Sequence, residues 1–409
     1  MKYQAPRGTQ DILPEEAKKL EYILNTCKKF LQSFSYQEIL TPIFEHTDLF
    51  VRSVGESSDI VNKEMYTFLD RSDRSLTLRP EATAGVLRAY IENGMSRNPK
   101  PVKLWSFGPM FRYERSQTGR YRQFHQINIE ILGDGSLTPE IESIFLINKI
   151  LNELKIKFKI DINSLGDSES KKNYKEYFTE FTKNHLSSLC DDCKRRFEQN
   201  PLRMLDCKVE ADQKIYLKAK KPIEFLSSAS KTRWEELTTI LLKKDFIEIN
   251  HNLVRGLDYY NDFVFEIKSI SDDTDTKSLA IGGGGRYDKL VKELGGEDTP
   301  GFGFAFGIER LLLILKKEVQ QKIKILVLTN NEPFLESLIT QENNLEFDIS
   351  FNPQKIGRQI ETALKKGAKF IIFYLDEEYK KGIVKIKNLE TREEFEVQNT
   401  PNDIMKVLR

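Results

Sequence analysis

From Gln123 to Ile131 the chain reads Gln-Phe-His-Gln-Ile-Asn-Ile-Glu-Ile, and this alternation constrains its fold more than any other feature. Successive side chains of a strand point to opposite faces. Ile127, Ile129 and Ile131 therefore share one face with His125, and Phe124, Gln126, Asn128 and Glu130 share the other. One face packs on a core, where His125 is read as a satisfied core histidine. The other presents an aromatic ring followed by three polar groups. A partner strand is expected at Trp105–Phe111, joined through Arg112-Tyr113-Glu114-Arg115-Ser116-Gln117-Thr118-Gly119-Arg120-Tyr121-Arg122. Together they predict an antiparallel strand–loop–strand unit. The loop carries four arginines against one glutamate. Guanidinium donors match phosphate oxygens bidentately, so it is either a solvated surface or a phosphate clamp.

The arginine loop stands out because the whole 409-residue chain has a net charge of only +1. Wholesale adsorption to nucleic acid or membrane is excluded by that balance, and a polyanion must be met by a local patch. The 26 Phe and 15 Tyr exclude a solvated, disordered chain. The length suggests two or three domains. No run of about 18 apolar residues occurs, so no membrane span is expected. Pro6, Arg7 and Asp11 interrupt the N-terminus where a signal sequence would turn apolar. Four cysteines are too few for a disulfide scaffold, which makes a reducing, cytoplasmic location the expectation.

Residues 14–34 predict an amphipathic helix: Pro14 suits the first turn, and Ala17, Leu20, Leu24, Cys27, Leu31 and Phe34 form a buried stripe. Gln37–Val51 reads as a strand broken at Pro42, and Ala82–Asn93 as a helix. Residues 167–242 turn Lys- and Glu-rich, a helical insertion with helices at Asn173–Leu189 and Arg233–Lys244. Strands return at Phe263–Ile267 and Gly301–Gly307, the latter followed by a helix over Ile308–Lys317. The run Gly282–Gly285 is either a flexible turn or a place of close approach to a ligand. Beyond a charged linker, strands at Ile323–Leu328, Phe347–Phe351 and Phe370–Leu375 alternate with helices, then a hairpin and a terminal helix follow. That order predicts a small α/β domain with a mostly parallel sheet.

Two further groups of residues carry chemistry. Cys190 and Cys193 form a C-x2-C pair, with Cys207 further on and His185 nearby. A structural zinc site normally takes four ligands, and no fourth is evident, so we read reduced thiols and no metal. Arg255 and Arg310 adjoin apolar strand sequence, where an unpaired cation is costly. A polyphosphate ligand would give both a partner.

At these residues the chain resembles the histidyl-tRNA synthetases, a family of class II aminoacyl-tRNA synthetases, essentially from end to end. The resemblance rests on Arg7-Gly8-Thr9-Gln10-Asp11, Leu78-Arg79-Pro80-Glu81-Ala82-Thr83, the arginine loop and strand at 112–131 (class motif 2), Gly284-Gly285-Arg286-Tyr287-Asp288 and Gly303–Leu311 (class motif 3). Leu253-Val254-Arg255-Gly256-Leu257-Asp258-Tyr259-Tyr260 resembles the stretch specific to the histidine enzymes. Motif 1, around Tyr36–Pro42, matches least, with Ser35 where the family often has Gly.

The resemblance implies an α+β catalytic domain over residues 1–316, with a six- or seven-stranded antiparallel sheet of class II synthetase type. It also implies the helical insertion at 167–242, a C-terminal α/β anticodon-binding domain at 322–409, and a homodimer built partly through motif 1. The implied function is ATP-dependent activation of L-histidine, then transfer to the 3′ end of tRNA(His), with Mg²⁺ on the phosphates. By resemblance Arg112, Arg255 and Arg310 are catalytic. Arg112, Glu114, Arg120, Phe124 and Arg310 bind ATP. Glu81, Thr83, Gln126, Glu130, Tyr259, Tyr260 and Tyr287 bind histidine, and Arg115 and Gln117 face the tRNA acceptor end. Lys365, Lys366 and Lys369 are either tRNA phosphate contacts or a solvated helix end. The rival classes are a histidine-sensing regulatory subunit, a pseudo-synthetase module fused to a kinase, and a class II synthetase for threonine or proline. The first typically lacks the C-terminal domain, the second needs a kinase that 409 residues leave no room for, and Leu253–Tyr260 disfavours the third.

Overall fold

The computed structural model describes residues 3–55, 58, 60–114, 119–207, 209–271, 278–316, 323–339 and 345–408. They form two compact units, Met1–Lys317 and Glu318–Arg409. In the first, eight strands make one sheet in the order Gln37–Glu38, Val102–Phe111, Gln123–Leu132, Gly301–Gly307, Ala280–Arg286, Asn261–Ser269, Phe158–Ser164 and Ile247–Ile249. The six central strands are antiparallel, whereas the two short edge strands pair in parallel. The sheet is thus wider than the six or seven strands expected. Edge strands of two and three residues are too short to show a periodic pattern.

The alternation at 123–131 becomes the centre of this sheet. Ile127, Ile129 and Ile131 face Phe306, Phe304 and Phe302 across the ladder, and all six are almost fully buried. Helices Pro14–Ser33 and Thr138–Glu153 pack over that face, contributing Ile23, Cys27, Leu31, Ile144, Ile147 and Leu151 to the same core. Each such large apolar side chain contributes roughly 1.5–3 kcal/mol on burial. A second core covers part of the opposite face: Val86, Leu87 and Tyr90 of helix Thr83–Glu92 pack with Val264, Tyr260 and Tyr287. That helix sets its own N-terminus above the polar row of strand Gln123–Leu132.

Two expectations are corrected. The strand-like stretch from Gln37 ends early: Gln37–Glu38 and Phe44–His46 are strands, and Thr47–Val54 is a helix that buries Phe50 and Val54. The glycine run is no turn, since it lies within strand Ala280–Arg286. A Cβ on Gly283 would come within 2.6 Å of the Phe265 carbonyl and 2.8 Å of the Arg255 guanidinium, so the neighbours leave no room for a side chain.

The insertion holds helices Ser168–Lys183, Asp191–Gln199 and Glu210–Tyr216 around a small core of Tyr174, Phe178, Leu189, Met204 and Tyr216, whereas helix Ser228–Leu241 sends Trp234, Leu237 and Leu241 into the main core. Its first helix begins earlier than the sequence suggests, because Asp167 caps it by accepting from the Ser170 amide at 2.8 Å. In the second unit, the strand order is Leu345–Phe351, Ile323–Thr329, Phe370–Tyr374, Ile383–Asn388 and Glu394–Gln398. The first three are parallel and the last two add an antiparallel hairpin.

Candidate active site

One cleft on the polar face of the large sheet is lined from four remote stretches of chain. The turn before helix Thr83–Glu92 gives Glu81 and Thr83, and the arginine loop gives Arg112, Glu114 and Arg120. The central strand gives Phe124, Gln126 and Asn128; the loop before strand Asn261–Ser269 gives Arg255, Tyr259 and Tyr260. Arg310 enters from the start of helix Ile308–Ile314, directly after strand Gly301–Gly307. The glycine-rich strands pass beneath, where absent side chains leave the cleft its depth.

The guanidinium groups are held by acceptors that leave much of their donor capacity free. Arg112 donates Nε–H to the Pro80 carbonyl at 2.8 Å and lies 5.4 Å from the centre of the Phe124 ring. Arg310 donates to the carbonyls of Gly119 and Ala280. Among the described residues no carboxylate is within ion-pair distance of it. Burial, and then the neighbouring Arg120 and Arg112 charges, pull its pKa below the ordinary arginine value. Arg255 reaches Glu266 at 3.3 Å, while its buried Nε has no hydrogen-bond partner among the described residues. Arg120 stands at the rim, 3.4 Å from Glu114. A cluster of cations this close favours an anionic ligand, since an orphaned buried donor costs about 1–3 kcal/mol.

The other end of the cleft is polar and acidic. Glu81 accepts from the amides of Thr83 at 2.7 Å and Ala84 at 2.9 Å, at the helix N-terminus. Its pKa is nonetheless raised, because burial outweighs these donors and the Arg112 charge. Glu130 lies one layer deeper: Thr83 Oγ1 donates to it at 2.7 Å and the Tyr287 hydroxyl donates to its other oxygen. Burial pushes Glu130 up to about 8. The Tyr259, Tyr260 and Tyr287 phenols cluster around these carboxyls, with Tyr259 ring centres 4.7 Å and 5.7 Å from those of Tyr260 and Tyr287. Burial raises all three above the ordinary tyrosine range. Gly303 lines the cleft just over Glu130, where a Cβ would come within 2.0 Å of its carboxylate. A glycine there keeps the carboxyl reachable.

A sequence model described as "Histidyl-tRNA synthetase" matches residues 8–311 of this chain. The chain belongs to the histidyl-tRNA synthetase family. A second model, "Anticodon binding domain", matches residues 334–408. Histidine–tRNA ligases of Anoxybacillus flavithermus and Thermotoga petrophila are 42% and 43% identical to it; each alignment covers 97% of this chain and 97% and 96% of those proteins. The solved apo histidyl-tRNA synthetase of S. aureus superposes with a TM-score of 0.78 at 35% identity, covering 97% of both chains. An ATP phosphoribosyltransferase regulatory subunit/histidyl-tRNA synthetase from Bacillus halodurans shares the fold, with a TM-score of 0.65 at 19% identity over 92% of this chain and 99% of that one.

Of the residues that the family resemblance singles out, Glu81, Thr83, Arg112, Glu114, Arg120, Phe124, Gln126, Arg255, Tyr259, Tyr260 and Arg310 line the one cleft. Glu130 and Tyr287 support it from below, joined to each other and, through Thr83, to the lining. Arg115 and Gln117 lie outside the described residues. Sequence reasoning passed over Asn128 and Glu266 as site residues, though both line the cleft. For Asn128 the strand alternation was signal enough. Glu266 is found only once the fold sets it beside Arg255. His125 is held by Glu309, whose carboxylate accepts from its backbone amide at 2.9 Å and contacts ring Nδ1 at 2.9 Å. Among the described residues, no helix is long and apolar enough to cross a membrane.

Proposed function

We propose that this cleft performs the histidine–tRNA ligase reaction of its family by alignment and cationic stabilisation, without a protein nucleophile. A histidine carboxylate oxygen attacks the α-phosphorus of ATP, the bond to pyrophosphate breaks, and histidyl-adenylate forms. A ribose hydroxyl at the tRNA 3′ end then attacks the acyl carbon and AMP leaves. The carboxylate is already nucleophilic, so the site must supply orientation and positive charge where the phosphate oxygens become more negative. The convergence of Arg112, Arg255 and Arg310 on one cleft, beside Glu81 and Glu130, carries this reading.

In this account Arg112 and Arg255 flank the α-phosphate, Arg310 and Arg120 hold the outer phosphates, and Phe124 stacks on adenine. Glu81 and Thr83 meet the α-amino group. Gln126, Glu130, Tyr259, Tyr260 and Tyr287 surround the imidazole; Glu130 accepts from one ring nitrogen and Tyr260 meets the other. Buried polar readers of this kind reject analogues that lack the partner by about 10⁴–10⁵. Glu114 and Glu266 offer the carboxylate oxygens that suit Mg²⁺, which would neutralise phosphate charge. Arg115 and Gln117 are assigned to the tRNA acceptor end and the 334–408 domain to the anticodon. In that domain Lys366 and Lys369 are engaged by Asp348 at 2.7 Å and Glu390 at 3.3 Å, which favours a solvated surface there.

We assign a second copy of the chain to the face around motif 1, where Leu40, Ile43, Phe44, Phe68 and Leu69 are exposed apolar side chains. ATP–pyrophosphate exchange with each of the twenty amino acids in turn tests the ligase reading. Histidine alone is expected to support exchange. Exchange with threonine or proline, or with none, would contradict it.

A further inference from the structure

Away from the cleft, the insertion brings together four potential metal ligands. Sγ of Cys190, Cys193 and Cys207 and a carboxylate oxygen of Asp212 all lie within 4.8 Å of one another. We propose that they form a tetrahedral site for a divalent cation of zinc type, Cys3Asp in composition, which closes the insertion's small core.

Three observations carry this. The first is spacing. Cys190 Sγ and Cys207 Sγ are 3.8 Å apart, and Cys207 Sγ is 3.4 Å from an Asp212 oxygen. Zinc bonds of about 2.3 Å to sulfur and about 2.0–2.2 Å to oxygen, at tetrahedral angles, put sulfurs about 3.8 Å apart and sulfur and oxygen about 3.5–3.6 Å apart. A disulfide would need about 2.05 Å, and the thiols are free. The second is burial without a counter-charge. Asp212 is 1% exposed, and among the described residues no ammonium or guanidinium is within ion-pair distance. Among the described residues only the Cys190 amide and neighbouring thiols donate to this carboxylate, and a cation would supply the charge they lack.

The third is how the ligands are mounted. Cys190 is the N-cap and Cys193 the third residue of helix Asp191–Gln199, so the C-x2-C pair shares its first turn. Cys207 follows the turn Pro201–Asp206, and Asp212 sits in the next helix, Glu210–Tyr216. Backbone amides already orient two ligands: Val209 donates to Cys207 Sγ at 3.3 Å, and Cys190 to Asp212 at 3.1 Å. The fourth ligand that the cysteine spacing lacks is thus an aspartate, and His185 is not among the group. The site would also fix what the insertion offers the cleft, because Asn200 and Arg203, between the ligands, hold Asp258 at 3.2 Å and 2.9 Å beside Tyr259.

The test uses the full chain, purified under reducing conditions without chelator from zinc-supplemented growth. Elemental analysis is expected to find about one zinc per chain. Cobalt substitution is expected to give the intense visible bands of tetrahedral coordination and near-ultraviolet thiolate charge transfer. Cys193→Ser should cut bound metal to below about a tenth of that, while Cys27→Ser, in a core remote from the group, should keep it. Zinc below about 0.1 per chain in the parent protein, with no thiolate–cobalt absorption, would overturn the proposal. So would a Cys190–Cys207 disulfide under the same conditions. Both measurements on the parent stand even if the serine variant fails to fold.

Discussion

The large sheet and the C-terminal sheet of this chain treat charge in opposite ways. On the polar face of the large sheet and around its margins ionisable groups are buried: Glu81, Glu130, Glu140 and Arg286 are each at most 4% exposed. In the C-terminal unit the charges lie in solvent. Glu394 bridges Lys385 at 2.8 Å and Lys387 at 2.9 Å with all three side chains exposed by a third or more. Both settings move pKa values, by different physics. Burial drives Glu130 up to about 8, whereas two lysines draw Glu394 down to about 2. Only buried charge is locked into one geometry and weakly screened, so only there should single substitutions have large effects. The small α/β unit can present charge to a partner without depending on it for stability.

The sharpest way to break that contrast is to break the deepest ion pair. Arg286 meets Glu140 through two 2.7 Å contacts, and Arg233 adds a third at 2.7 Å. Glu140→Ala strips the buried Arg286 of its two-point carboxylate partner and leaves it Asp288 at 3.0 Å, so chemical denaturation should show a loss of about 3–5 kcal/mol. A loss under about 1 kcal/mol would make this pair behave like an exposed one. Next comes Arg255→Ala, expected to lower histidine-dependent ATP–pyrophosphate exchange by about 10²–10³, or about 2.7–4 kcal/mol. Exchange within threefold of the parent removes Arg255 from the mechanism.

Glu130 sharpens the comparison through pH. Its folded pKa lies above its unfolded value, so between about 4.5 and 8 the native state keeps a proton that the unfolded chain has released. Stability should therefore fall as pH rises through that window, at up to about 1.4 kcal/mol per pH unit. Glu130→Gln should flatten that contribution; an unchanged pH–stability curve would contradict the burial argument. Titration calorimetry on Glu130→Ala should show histidine affinity reduced far more than ATP affinity, and equal losses would sink its assignment to the imidazole. The smallest effect is expected from Glu394→Gln. Its thermal midpoint should match the parent within error, despite the large depression of that carboxyl.

How much of this was legible in sequence follows from what sets each feature. The strand at 123–132 was readable because its alternation has a period of two and its apolar face is uniform. Gly282–Gly285 was not: glycines carry no pattern, and the strand is imposed by crowded neighbours on both sides. The arginines could be picked out one by one as costly cations, yet only the fold shows that Arg112, Arg255 and Arg310 share a cleft. Periodicity gave the face of Glu130 but not its depth, which Thr83 and Tyr287 define. Asp212 was invisible for the same reason as Glu266, since its partners arrive through tertiary packing rather than spacing.

A crystal structure of the chain with histidine and a non-hydrolysable ATP analogue tests the central claim most directly. The α-phosphate should lie between the Arg112 and Arg255 guanidinium groups, Arg310 should contact the terminal phosphate, and the imidazole should meet Glu130 and Tyr260. Phosphates bound away from those three arginines, or an imidazole turned from Glu130, would contradict the account.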